Sequence, residues 1–115
     1  MGNRNNLYVY VNDELKMGVY SHWGGSEIAD TVARALPGAR TDGDNTYGLK
    51  TVVAAVLEDC CGGNSETGGG IWFDFPDDQD RGNDPVYLYL NDAGFDRLVV
   101  AGETFTVDEF VARFG

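Results

Sequence analysis

The segment Tyr20-Ser21-His22-Trp23-Gly24-Gly25 gathers the only histidine of the chain, an indole, a serine and two glycines just ahead of a stretch with helical apolar spacing. Free backbone N–H groups at a helix start favour an anion, and glycines let that anion come close. His22 can donate to a phosphate or carboxylate, and Trp23 can stack on a base or ring. Ser21, His22, Trp23, Gly24 and Gly25 are therefore the candidate ligand-binding residues, with Arg40 and Lys50 as cations that would hold phosphates. The same hexapeptide also reads as a plain strand-to-helix corner, with Trp23 as a core plug and His22 bonded locally.

Other reactive residues point less far. Cys60 and Cys61 are adjacent, a spacing at which pairing is strained, and no second pair exists to build a disulfide framework or a zinc site. They read as the reduced end of a helix. The run Asp77-Asp78-Gln79-Asp80-Arg81-Gly82-Asn83-Asp84 suggests calcium, but the position that should hold a bidentate Glu falls on Tyr89, so no metal site is expected. The glycine-rich run from Gly62 to Gly70 lacks the Gly-Lys-Ser/Thr of a phosphate-binding loop and reads as a connection. A serine or cysteine nucleophile needs a base, and His22 alone would have to be both motif residue and base. Catalysis is thus not where these residues point, and no cofactor is expected.

Charge narrows the partners. The 115 residues carry 8 Lys+Arg against 19 Asp+Glu, a net charge of −11. Such a chain repels phosphate backbones, so direct nucleic-acid binding is disfavoured. Residues 1–40 are neutral, with Arg4, Lys16, Arg34 and Arg40 against Asp13, Glu14, Glu27 and Asp30, whereas the remainder is acidic. An anionic ligand is best tolerated near the first forty residues. No apolar run approaches the roughly 20 residues that span a bilayer, so a cytoplasmic protein is expected.

These residues must be positioned by a single domain, since about 150 residues is the usual domain size. Residues 7–11 and 16–20 alternate as two strands about Asn12-Asp13-Glu14. Ser26 caps an expected helix over 26–36, closed by Pro37-Gly38, and Leu49, Val52, Val53, Val56 and Leu57 predict a second over 47–60. Strands are expected at 71–75 and 86–90, then a short hairpin at 98–100 and 104–106. Thr106-Val107-Asp108-Glu109 has the form of a capping box before a last helix carrying Phe110, Val111 and Phe114. The order ββααββ(ββ)α lacks regular βαβ alternation, so the expected class is α+β, with a mainly antiparallel sheet and helices on one face.

The expected strands are apolar on both faces. Leu7, Val9, Val11, Ile71, Phe73, Phe75, Val86, Leu88 and Leu90 suit packing under helices. The alternate positions carry Tyr8, Tyr10, Trp72, Tyr87 and Tyr89, a large aromatic area to leave in water. Three coverings are open: the third helix or neighbouring loops, a second copy in a homodimer, or a stacked ligand.

The run Val19-Tyr20-Ser21-His22-Trp23-Gly24-Gly25-Ser26, with the later Glu66-Thr67-Gly68-Gly69-Gly70-Ile71, resembles a group of small phage and bacterial proteins that share a Tyr-x-His-Trp-x-Gly signature. The resemblance covers about residues 7–91. It implies a viral or mobile-element setting and supplies no reaction. That group often continues with Gly-Tyr-Gly, where this chain has three glycines.

Two functions follow as expectations. One is a small ligand-binding protein that sequesters an anionic, nucleotide-type immune signal of a host. The other is an acidic protein-interaction inhibitor that mimics DNA charge and blocks a host defence enzyme.

Overall fold

A computed structural model describes residues 3–39, 45–61, 69–73 and 83–115. Alternating apolar residues form β1 (Asn5–Val11), which turns back into β2 (Glu14–Ser21). The turn works because Asn12 (φ 50°) and Asp13 (φ 64°) both accept the left-handed conformation that a two-residue hairpin requires. A 3₁₀ turn (Gly25–Glu27) leads into α1 (Ile28–Ala35), and Leu36–Gly38 closes it as a second 3₁₀ turn. Then come α2 (Asn45–Cys61), β3 (Gly70–Trp72), β4 (Val86–Asn91), β5 (Gly94–Val100), β6 (Glu103–Phe105) and α3 (Val107–Phe114).

The six strands form one sheet in the order β3-β2-β1-β4-β5-β6. Every neighbouring pair is antiparallel except β1 and β4, which run parallel at the centre with Leu7 opposite Val86 and Val11 opposite Leu90. The fold is α+β, as the element order implies. Leu7, Val9, Val19, Val86, Leu88 and Leu98 are fully buried beneath Ile28, Val32, Val52, Val56 and Phe110, so the three described helices share one face of the sheet and one core. At roughly 0.8 kcal/mol per buried methylene, this layer is the main driving force for folding. Among the described residues, no helix is long and apolar enough to cross a membrane.

Several boundaries differ from expectation, each for a local reason. Ser26 does not cap α1; its Oγ accepts a hydrogen bond from Asn3 Nδ2 (2.7 Å), and Glu27 occupies the cap position without a side-chain bond. The third strand stops at Trp72, and Phe73 projects beyond it, 66% exposed. A further hairpin, unforeseen, joins β4 to β5 through Asp92 and Ala93, where Asn91 Oδ1 accepts from Ala93 N (2.9 Å) and Gly94 takes φ 125°. The capping box of α3 is present on both sides, with Glu109 N donating to Thr106 Oγ1 (3.1 Å) and Thr106 N to Glu109 Oε1 (2.9 Å).

The face of the sheet away from the helices carries the aromatic set. Tyr8 stacks on Tyr87 and Tyr10 on Tyr89, with centroids 5.0 and 4.6 Å apart, and Trp72 meets Tyr8 edge-on. The Arg97 guanidinium lies 4.0 Å above the Tyr89 ring and closes the row. The third helix does not cover these rings, because it packs on β5 and β6 from the other side. The four tyrosines are half-buried and Trp72 is buried, and cross-strand stacking occupies ring faces that a flat ligand would need. Burial and the neighbouring Tyr89 raise the Tyr10 phenol above its ordinary value.

Candidate functional site

The chain leaves β2 at Ser21, which is fully buried. Its Oγ donates to Cys60 O at the end of α2 (2.6 Å) and accepts from Gly24 N (3.0 Å). A hydroxyl used in both directions is a structural tie, here between β2, the corner and α2. Gly24 is needed because a Cβ there would lie 2.7 Å from the Cys60 carbonyl oxygen, and Gly25 because its Cβ would lie 2.6 Å from Asn3 O. The two glycines thus let the corner approach α2 on one side and the N-terminal segment on the other.

From Gly24 to Ile28 the backbone donors of the corner are engaged by the protein itself. Gly25 N donates to Asn3 O (2.7 Å), Ser26 N to Asn3 Oδ1 (3.2 Å), Glu27 N to Gly24 O (3.0 Å), and Ile28 N to Gly25 O. Together with the Gly24–Ser21 bond, this leaves the start of α1 without the unoccupied N–H groups that make a helix terminus attract anions. His22, half-buried, has its Nδ1 2.9 Å from the Tyr20 hydroxyl, and Trp23 stands 57% exposed with its ring edge-on to His22 at 4.7 Å. Trp23 is therefore not a core plug.

Of the two expected cations, the described residues include only Lys50, which stands away from this corner. Lys50 is exposed on α2, ten residues before Cys60 and so about 15 Å along the helix axis. Arg40 lies outside the described residues, as do 62–68 of the glycine-rich run, 74–75 of the expected third strand and 77–82 of the acidic run. Of the latter, Asn83 is fixed by donating from Nδ2 to Asn3 Oδ1 (2.7 Å) and to Arg4 O (2.8 Å).

Asn3 and Asn5 are the residues that sequence reasoning missed. Asn3 receives two of the corner's donors, and Asn5 Nδ2 donates to Gly25 O (3.2 Å) and Asp84 O (2.9 Å). The polar run Asn3-Arg4-Asn5-Asn6, directly before a strand, was the available signal. Asn6 is buried as well, its Oδ1 accepting from Trp72 Nε1 (3.0 Å). Trp72 crosses Gly18 so closely that a Cβ at Gly18 would overlap the indole.

The cysteines are buried and neither is in a disulfide. Cys60 Sγ points to Thr31 Oγ1 (3.6 Å) and Cys61 Sγ to Tyr20 O (3.4 Å). Burial pushes both thiols up, Cys61 to about 11 with a further contribution from Cys60. A thiol held protonated and out of solvent is a poor nucleophile and a poor metal ligand. Among the described residues there is no group of three or more His, Cys, Asp or Glu side chains that could hold a metal ion.

Charge is displayed outward. Of the twelve carboxylates among the described residues, all but Asp30 are exposed. The β1–β2 and β4–β5 turns meet at one end of the sheet, where Asn12 Nδ2 donates to Asp92 Oδ1 (3.3 Å) and Arg97 bridges Asp13 and Asp96. Asp13, Glu14, Asp92 and Asp96 share that end. Comparison with family models, with curated proteins and with solved structures finds no match to this chain.

Proposed function

We propose that the chain is a binding protein whose target is another protein with a basic, nucleic-acid-binding surface. The observation that carries this reading is the outward array of eleven exposed carboxylates among the described residues, four of them gathered where two hairpin turns meet. Such a field attracts a basic partner over long range and competes with the phosphates that partner would otherwise bind. Trp23, exposed at the corner, is of the residue type that anchors protein interfaces.

The test is capture from a host-cell lysate on the immobilised protein, followed by elution with duplex DNA. The expected result is a basic protein released by DNA and by added salt, and captured less by a variant carrying Asp13→Asn, Asp92→Asn and Asp96→Asn together. Capture that DNA does not reverse, or that the neutralised variant retains in full, overturns the reading.

A second reading, an anionic nucleotide held at the corner, draws support from the pair His22 and Trp23. The Tyr20 hydroxyl engages Nδ1, so Nε2 is the ring nitrogen that an anionic group would meet while a base lies on the indole. Mononucleotides, cyclic dinucleotides and ADP-ribose derivatives at a hundred times their dissociation constant would each stabilise by about 2.7 kcal/mol. A thermal shift present in the wild type and absent in His22→Ala supports this reading, and no shift with any of them removes it.

A further inference from the structure

Three of the surface clefts that open on the described residues differ in their walls. One, of about 200 Å³, is bordered by Asp30 and Asp84; another, of about 540 Å³, is bordered by Asp108. The third differs in kind. It lies between α2 and the edge strand β3, has a volume of about 320 Å³, and its walls are Met17, Leu49, Val53, Ala54, Leu57 and Ile71, with Phe73 at the open end. Among the described residues, no polar side chain lines it apart from Lys50, and no carboxylate borders it.

We propose that this groove binds a small amphiphile made of one acyl chain and one anionic head, a medium-chain fatty carboxylate being the simplest case. The volume falls within the range of small-molecule sites, and the lining has their usual character, apolar with very few polar groups. Ile71 (44% exposed) and Phe73 (66% exposed) leave apolar area in water that an acyl chain would cover. The head group follows from charge. In a chain of net charge −11, the only charged wall residue of this cleft among the described residues is a cation, the exposed Lys50. An ammonium on a flexible stem can reach a carboxylate at the groove mouth while its methylenes extend the apolar wall. A cationic amphiphile would find no partner there. The site is separate from the acidic end of the sheet and from the His22–Trp23 corner, so it stands or falls independently of the reading above.

Isothermal titration with dodecanoate and dodecyltrimethylammonium below their micelle concentrations, and with dodecanol below its solubility limit, tests the proposal on the whole chain. Dodecanoate is expected to bind saturably at one site, more tightly than dodecanol, with the trimethylammonium compound weakest. Shortening the carboxylate by two methylenes should weaken binding about tenfold or slightly more, since each buried methylene contributes about 0.8 kcal/mol. Lys50→Glu should abolish the preference for the carboxylate. Ala54→Glu, at an exposed position, should remove binding while the far-ultraviolet circular dichroism stays that of the wild type. Equal affinity for all three head groups, binding without saturation, no dependence on chain length, or full binding by Ala54→Glu would each overturn it.

Discussion

The corner after β2 and the groove beside α2 are opposites. The corner is rich in residues that bind ligands in other proteins, yet its hydroxyl, its backbone donors and its glycines are engaged with Asn3, Cys60 and one another. The groove is made of residues that ordinarily fill cores, yet it stands open with Lys50 at its border. Residue type therefore says what a side chain is able to do, and only its neighbours say whether that capacity remains available. A donor already bonded within the protein offers a ligand little, because the new bond would have to replace an existing one.

The sharpest way to break this contrast is Gly25→Val. If the glycine served a ligand, a larger side chain would abolish binding and leave folding intact. If it serves the close approach of Asn3 O, 2.6 Å from where a Cβ would sit, the chain itself must move. We expect a loss of about 3 kcal/mol in urea unfolding, in the range typical of overpacked buried sites. Full stability in this variant would restore the corner as a ligand cradle.

Next in size is Ser21→Ala. It removes the acceptor of Gly24 N and the donor to Cys60 O in a fully buried setting. Leaving such groups unpaired costs about 1–3 kcal/mol, and the loss should fall on the docking of α2 against β2. Hydrogen exchange at the Gly24 amide reads the local part of that effect.

How much of this was legible beforehand depends on distance along the chain. The capping box of α3 lies within four consecutive residues and was plain in the sequence. The β1–β2 hairpin was equally plain, since Asn12-Asp13 sits between two alternating runs. The corner left two readings open because a glycine that admits a ligand and a glycine that admits its own chain meet the same steric demand. The acceptor that decides between them, Asn3, is remote in sequence, and such hydrogen bonds leave no local signature. The groove was invisible for a related reason. Met17, Leu49, Leu57 and Ile71 come from three separate elements, and each taken alone matches an ordinary core position. The α+β class itself was readable, because it needs only element order, whereas the parallel pairing of β1 with β4 needs the whole sheet.

A smaller effect separates inert from reactive cysteines. The Cys61 thiol is pushed up to about 11 by burial, whereas in the unfolded chain it titrates near 9.0. The folded state therefore holds its proton over a range in which the unfolded state releases it. This contribution is complete below about pH 9 and is lost as pH rises towards 11, with a slope of at most about 1.4 kcal/mol per pH unit. Cys61→Ala should show a flatter alkaline limb in a series of urea melts. A limb as steep as that of the wild type would show that other groups dominate there.

The smallest expected effect is the most informative about the corner. Trp23 is 57% exposed and touches His22 edge-on, so removing its ring discards little buried area and one aromatic contact of about 0.5–1.5 kcal/mol. Trp23→Ala should therefore lower stability by less than about 1 kcal/mol, whereas the same change at the buried Trp72, bonded to Asn6 Oδ1, should cost about 3–5 kcal/mol. An exposed indole that folding does not need is then a surface group left for a partner or a ligand. If Trp23→Ala proves as damaging as Trp72→Ala, the indole is part of the scaffold, and the contrast between corner and groove becomes complete: every distinctive residue of the corner serves the fold.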